Sequence, residues 1–427
     1  MPPTDDHPQR YALVNELHAR PFPSMDAPCH AVFLAFKEPV EAASRDRARD
    51  MAHLAELVHR HGAPEPQPGA THYSGALGRY SLKWESHTEF VTYSAFTPGL
   101  TARPFDPAEA LIFPPDWQAR APGKRLCAVL VRVELMPPDP ATIAARLEEW
   151  FVAESLACAR VLEGAAIVAA DFRIDPAGHM RFAVFVEPGT SPRRVGRIVQ
   201  RLCEIEMYRA MSMLGLGRAR DLGGRLNKLE GALGDLVAAM DDGATPAEET
   251  LHKLLRIAAE LETLAARFSF RAGATAAYEA IVNDRIEVLR EERFLGRQTF
   301  AEFMRRRYDP AMRTVKSAEN RLRQMLERAA RAAELLRTRV DVERSAQNQK
   351  LLESMDKRAD LQLRLQATVE GLSVVAISYY AVSLAGYLSY PLAEAMGWSK
   401  GALTAAITLP VVALVWLMVR RIRRAMH

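Results

Sequence analysis

The sequence predicts an α+β cytoplasmic domain with an antiparallel or mixed sheet, then a helical region with a long stalk helix, and finally a C-terminal two-helix transmembrane hairpin. Three observations predict it. Short runs rich in Val, Phe and Tyr, punctuated by Gly and Pro, fill the first half of the chain. From Ala311 to Glu370 there is no Gly and no Pro, so one helix can run unbroken. Near the end, Gly371 to Tyr390 and Ala402 to Val419 are two uncharged runs whose helical length of roughly 30 Å matches a hydrocarbon core.

In order along the chain, strands are expected at Cys29 to Lys37, His72 to Trp84, Glu89 to Phe96, Leu126 to Leu135, Ala166 to Ile174 and Met180 to Glu187. Helices are expected at Val40 to His61, Ala141 to Ser155 and Pro192 to Leu214. The PEPQPGA stretch around Pro64 to Ala70 reads as a loop. From about Arg218 the pattern turns helical, with Leu222 to Met240, Ala247 to Phe268 and Ala274 to Phe294 followed by the short basic FAEFMRRRYDP. No repeat of fixed period stands out. The expected organisation is a cytoplasmic α/β domain (1–217), a helical domain (218–310), a stalk (311–370), a first membrane helix (371–390), a short extracytoplasmic loop (391–401), a second membrane helix (402–419) and a basic tail (420–427).

Composition narrows the function classes. At 49% hydrophobic and 25% charged, the chain is globular rather than disordered. A net charge of +4 is too slight an excess to point to nucleic acid. Cys29, Cys127, Cys158 and Cys203 lie far apart beside apolar runs, with no CxxC, as expected of buried thiols in a reducing compartment. MPPTDDHPQR lacks the basic and apolar regions of a signal peptide, which leads us to expect a cytoplasmic N-terminus. Lys357, Arg358 and Arg364 before the first uncharged run, and Arg420, Arg421, Arg423 and Arg424 after the second, place both ends in the cytoplasm by the positive-inside rule.

The stalk's first half carries an apolar face: Val315, Leu322, Leu326, Ala329, Ala333, Leu336 and Val340 recur at helical spacing. Beyond it, a 3-4 spacing runs through Gln362, Gln366, Ser373, Tyr380, Ser383 and Tyr387. This seam is polar or small and continues into the uncharged run. Hydroxyls in hydrocarbon need partners, so the seam should face other helices or water. On the axis of an oligomer it would line a pore, with Glu394 of the loop at the mouth; in a packed helix pair it would be glue.

Three further constellations could bind or pair. In NELHARPFP, Glu16, His18 and Arg20 alternate on an extended chain and could converge on an anion or a carboxylate. In WESHTEF, Glu85, His87 and Glu89 stand two apart and would share a strand face, a set that could take a divalent cation or form ion pairs; a turn near His87 would undo the convergence. In RLCEIEMYRAM, Arg201, Glu204 and Glu206 crowd one helix, and Glu206 with Arg209 makes an i,i+3 pair. No GxxxxGK[ST], GxSxG, HExxH or GxGxxG occurs, so no catalytic residue, enzyme activity or cofactor is implied.

NELHARPFP, WESHTEF, QRLCEIEMYRAM, TAAYEAIV, LRTRVDVE, QNQKLLESMDKRADLQLRLQ and TVEGLSVVAISYYAVSL together resemble the bacterial domain of unknown function 3422 family, predicted membrane-anchored proteins. The resemblance spans about His7 to the first uncharged run. The layout also resembles CorA-type magnesium channels, which implies a pentameric cation channel; where that family carries Gly-Met-Asn, the loop here reads PLAEAMGWSKG. The expected partners are therefore the lipid bilayer, further copies of the chain, and a cytoplasmic protein or a divalent cation. Two functions follow: a membrane-anchored interaction or regulatory module, or an oligomeric ion channel or transporter.

Overall fold

The computed structural model describes residues 6–11, 13–14, 22–40, 42–242 and 245–426, the side chains of 241–242 and 423–426 excepted. It divides into two compact units: Met1–Asp242 with His252–Ala332, and Gly243–Leu251 with Ala333–His427.

The first unit is built on a mixed nine-stranded sheet in the order β2-β3-β4-β1-β5-β8-β7-β6-β9. The strands are β1 Cys29–Lys37, β2 His72–Leu77, β3 Tyr80–Ser86, β4 Phe90–Pro98, β5 Lys124–Leu135, β6 Ala157–Val161, β7 Ala166–Ala170, β8 Met180–Val186 and β9 Glu292–Arg293. Only β5 and β8 pair in parallel among the described strands. The helices are α1 Arg47–Arg60, α2 Pro115–Ala119, α3 Pro140–Trp150, α4 Pro192–Asp242, α5 Ala247–Glu287, α6 Phe300–Arg307, α7 Asp309–Ala395 and α8 Lys400–Met426.

Alternation along each strand splits the core into two layers. On β1, Phe33 faces a cluster with Val131 and Phe182, covered by Ile198, Leu202 and Ile205 of α4 and by Phe300 of α6. Leu34 faces the other way, onto Leu54 and Leu57 of α1, Trp117 of α2 and Leu147 of α3. Burying each such side chain contributes about 1.5–3 kcal/mol, and both faces being covered explains why Ala31 to Phe36 of β1 and Leu126 to Val131 of β5 read as continuous apolar runs.

The sheet contains an order that no sequence period betrays. A strand, a helix and a three-stranded meander occur as β1-α1-β2-β3-β4 and again as β5-α3-β6-β7-β8, and the two sets flank the β1–β5 pair in mirrored order. They differ in sense: β4 returns antiparallel to β1, β8 parallel to β5.

Several expected boundaries are corrected. The run His72 to Trp84 is a hairpin, broken at Gly78 and Arg79 so that Leu77 pairs with Tyr80. β6 was not expected, because four of its five residues are buried and leave no alternation to read. The helix expected from Val40 starts at Arg47, after a 3-10 turn, where Asp46 Oδ1 accepts Ala48 N at 2.9 Å. The helix expected to reach Ser155 ends at Trp150.

The breaks expected between Leu214 and Leu222 and between Phe268 and Ala274 are absent, and α4 and α5 each run through their glycines. At Gly215 the reason is close approach: a Cβ would sit 2.3 Å from Thr275 Oγ1 of α5. Glu230 of α4 then pairs with Arg321 of α7.

In the second unit, Glu248 of α5 accepts from Arg344 of α7 at 2.7 Å. Residues 341–369 of α7 are exposed at every position. The helix continues through the first uncharged run and past Pro391 to Ala395, four residues and a turn before α8. Two helices among the described residues, α7 and α8, are thus long and apolar enough to cross a membrane.

Candidate functional site

In the first unit, a cavity of about 220 Å³ opens between β3, β4, α4 and α5. Lys83 and Glu85 project from β3 toward α4 on the face opposite Leu82 and Trp84. Lys83 Nζ donates to Gln200 Oε1 at 3.1 Å and lies 3.3 Å from Glu85 Oε1. Gln200 donates in turn to Glu204 Oε1 at 2.7 Å, and Arg285 of α5 binds Glu204 Oε2. His87, Thr92 and Tyr208 complete the polar lining, with Phe22, Phe33 and Met207 as its apolar part. Phe22 is held there because the following chain docks on α4: Met25 N donates to Pro192 O at 3.1 Å, and Pro23 O comes so near Gly196 that a Cβ there would lie 1.8 Å away.

His87 sits in the turn after β3, stacked on Phe90 with ring centroids 4.4 Å apart and its Nε2 3.4 Å from Thr92 Oγ1. Buried Arg45 fixes that turn. Its guanidinium donates to His87 O at 2.6 Å, Phe90 O at 3.1 Å, Ser86 Oγ at 3.1 Å and Thr88 O, and pairs with Asp50 at 2.8 Å.

The turn separates the three residues of WESHTEF. Glu85 and His87 line the cavity, whereas Glu89 is carried to a neighbouring buried centre with Lys37, Arg271 and Tyr278. Tyr278 donates to Glu89 Oε1 at 3.2 Å and stacks on Tyr208 at 5.6 Å. Burial, with the Glu89 carboxylate beside it, pushes the Tyr278 phenol up. Burial pulls the Lys37 ammonium down, with Glu89 opposing. Among the described residues no three His, Cys, Asp or Glu side chains gather as a metal-ligand set. Glu16, His18 and Arg20 lie outside the described residues.

Sequence reading missed Gln200, Tyr208, Arg271, Tyr278 and Arg285. The signal present was the i,i+4 row Gln200, Glu204, Tyr208 on α4; the contributions of α5 come from 80 to 190 positions away and leave no local trace. Glu206 does pair with Arg209, with two bonds of 2.7 and 2.8 Å. All four cysteines are buried and free.

In the second unit, Gln362, Ser373, Tyr380 and Glu394 are exposed, and Gln366 donates to Glu370 at 3.2 Å. Ser383 and Tyr387 join Ser378 of α7 and Thr404 and Thr408 of α8 along a cleft of about 940 Å³. Ser373 and Tyr380 are not among its lining residues. Four hydroxyls turn inward on their own helices: Ser373 donates to Val369 O at 2.8 Å, Ser383 to Tyr379 O at 3.0 Å, Thr404 to Lys400 O at 2.9 Å and Thr408 to Thr404 O at 2.7 Å, whereas the buried Ser378 Oγ has no hydrogen-bond partner among the described residues.

A search of curated proteins returns no match. The profile of the family described as Protein of unknown function (DUF3422) matches residues 5–426, almost the whole length, and the chain belongs to that family.

Proposed function

We propose that the chain is a membrane-anchored bacterial protein whose cytoplasmic head acts as an interaction or regulatory module. In this reading α7 and α8 enter the inner membrane as a hairpin with both termini in the cytoplasm, and the polar cavity around Glu85, His87 and Glu204 belongs to the head. The observation that carries it is the bonding of Ser373, Ser383, Thr404 and Thr408 to carbonyls one turn back. Hydroxyls satisfied within their own helices tolerate hydrocarbon and need no aqueous path.

A second reading, an oligomeric CorA-like channel or transporter for a divalent cation, draws support from the exposure of Gln362, Tyr380 and Tyr387 on a helix with little cover. There Gln362, Gln366, Ser373, Tyr380, Ser383 and Tyr387 would line the conduit and Glu394 its mouth. The test is the detergent-corrected mass of the purified full-length protein by light scattering. A monomer or dimer with no cation flux in vesicles supports the anchored module. A closed ring of four or five, with flux abolished by Ser373→Leu and Tyr380→Leu, overturns it in favour of the channel.

A further inference from the structure

A second cavity of the head, about 460 Å³, lies where the parallel strands β5 and β8 begin. Its wall includes Phe113 and Pro115; its polar groups are Gln118, Lys124, Arg125 and His179. His179 is only 5% exposed, yet neither ring nitrogen has a hydrogen-bond partner.

The same fold shows what a structural histidine looks like. His53 is equally buried, and both its nitrogens are met, Nδ1 by Tyr93 OH at 2.8 Å and Nε2 by Trp117 O at 3.0 Å. Buried polar groups are satisfied as a rule, so the imidazole of His179 is an exception with a location: it lines a cavity beside two cations. It is also held in place. His179 N donates to Asp175 Oδ1 at 2.9 Å and its carbonyl accepts Asp175 N at 2.8 Å, which closes the loop and directs one oxygen of that acid into its own backbone. Arg125 stands within 3.4 Å of Gln118 Oε1. Burial keeps the imidazole toward its neutral form, with one donor and one acceptor to offer.

We propose that this cavity binds a small phosphate ester with an apolar body. The anionic head meets Lys124, Arg125 and the donor nitrogen of His179; the body lies against Leu111 and Pro115, two exposed apolar residues of the wall. Charge-assisted bonds from the guanidinium fix the head, and the apolar wall favours an ester over the bare ion.

The test is calorimetric titration of the full-length protein in detergent with phenyl phosphate and, separately, inorganic phosphate. The expected result is saturable single-site binding of phenyl phosphate, at least tenfold weaker binding of inorganic phosphate, and at least tenfold loss of phenyl phosphate affinity in Arg125→Gln and in His179→Phe. Arg125 is exposed, so its variant decides the matter if the His179 variant fails to fold. No saturable binding to the wild type, equal affinity for the two probes, or undiminished affinity in Arg125→Gln would each overturn the proposal.

Discussion

Glu89 and Arg271 form a buried ion pair that ties the start of β4 to α5 across 182 positions of sequence. Removing one member of such a pair leaves the other charge uncompensated, at a cost of about 3–5 kcal/mol. Glu89→Ala should therefore lower stability by that order, read as the urea midpoint of the full-length protein followed by tryptophan fluorescence. Glu89→Ala with Arg271→Met should regain part of the loss, since Lys37 alone then remains unpaired. An unchanged midpoint in Glu89→Ala would show that the pair contributes nothing.

Thiol reactivity follows from burial. Burial pushes Cys29 and Cys158 up to about 12, aided at Cys29 by Asp26, and raises Cys127 and Cys203 as well. Thiolate is the reactive form, so all four should resist a disulfide reagent at neutral pH and react together once urea unfolds the head. Fast labelling of even one thiol in the native protein contradicts this.

Acid should weaken the head beginning near pH 6.5. Burial lowers the pKa of His53 against the opposing pull of Trp117 O, and lowers His179 too. Between the lowered folded values and the ordinary value of about 6.5, the unfolded chain binds more protons, so stability rises with pH there. Their contribution is whole above 6.5 and declines as the pH falls toward the folded values. Urea midpoints from pH 8 to 5.5 should show that fall, with a shallower slope in His53→Gln.

Two glycines of α4 should respond oppositely to alanine. At Gly215 a Cβ meets Thr275 at 2.3 Å, and Gly215→Ala should destabilise by about 1–3 kcal/mol through overpacking. At Gly223 nothing lies within 4 Å, and Gly223→Ala should stabilise by about 0.5–1 kcal/mol through helix propensity. Equal effects at the two positions would mean that the approach of α4 to α5 is not what Gly215 serves.

The legible parts of this chain are those written locally. β1 matches its expected span at both ends because Cys29 and Lys37 bracket a run that is apolar from Ala31 to Phe36, and α7 was readable because no Gly or Pro interrupts it between Pro310 and Gly371. β6 was not, since a short buried strand carries no period, and α4 was divided in reading because GLGRARDLGG looks like a break when the Thr275 surface that welcomes Gly215 is unseen. The site follows the same division. Glu85 and His87 stood out by spacing, and the turn that sends Glu89 elsewhere depends on Arg45, more than 40 positions earlier.

The bareness of α7 between residues 341 and 369 has a practical side. A helical segment exposed at every position opens at little cost, and beyond Arg344, which pairs with Glu248, it carries Lys350, Lys357, Arg358 and Arg364 as tryptic cleavage points. A single cut there divides the chain into a piece bearing every described strand and a piece bearing both uncharged runs. Limited digestion thus offers a way to part the sheet from the two apolar helices without redesigning the gene.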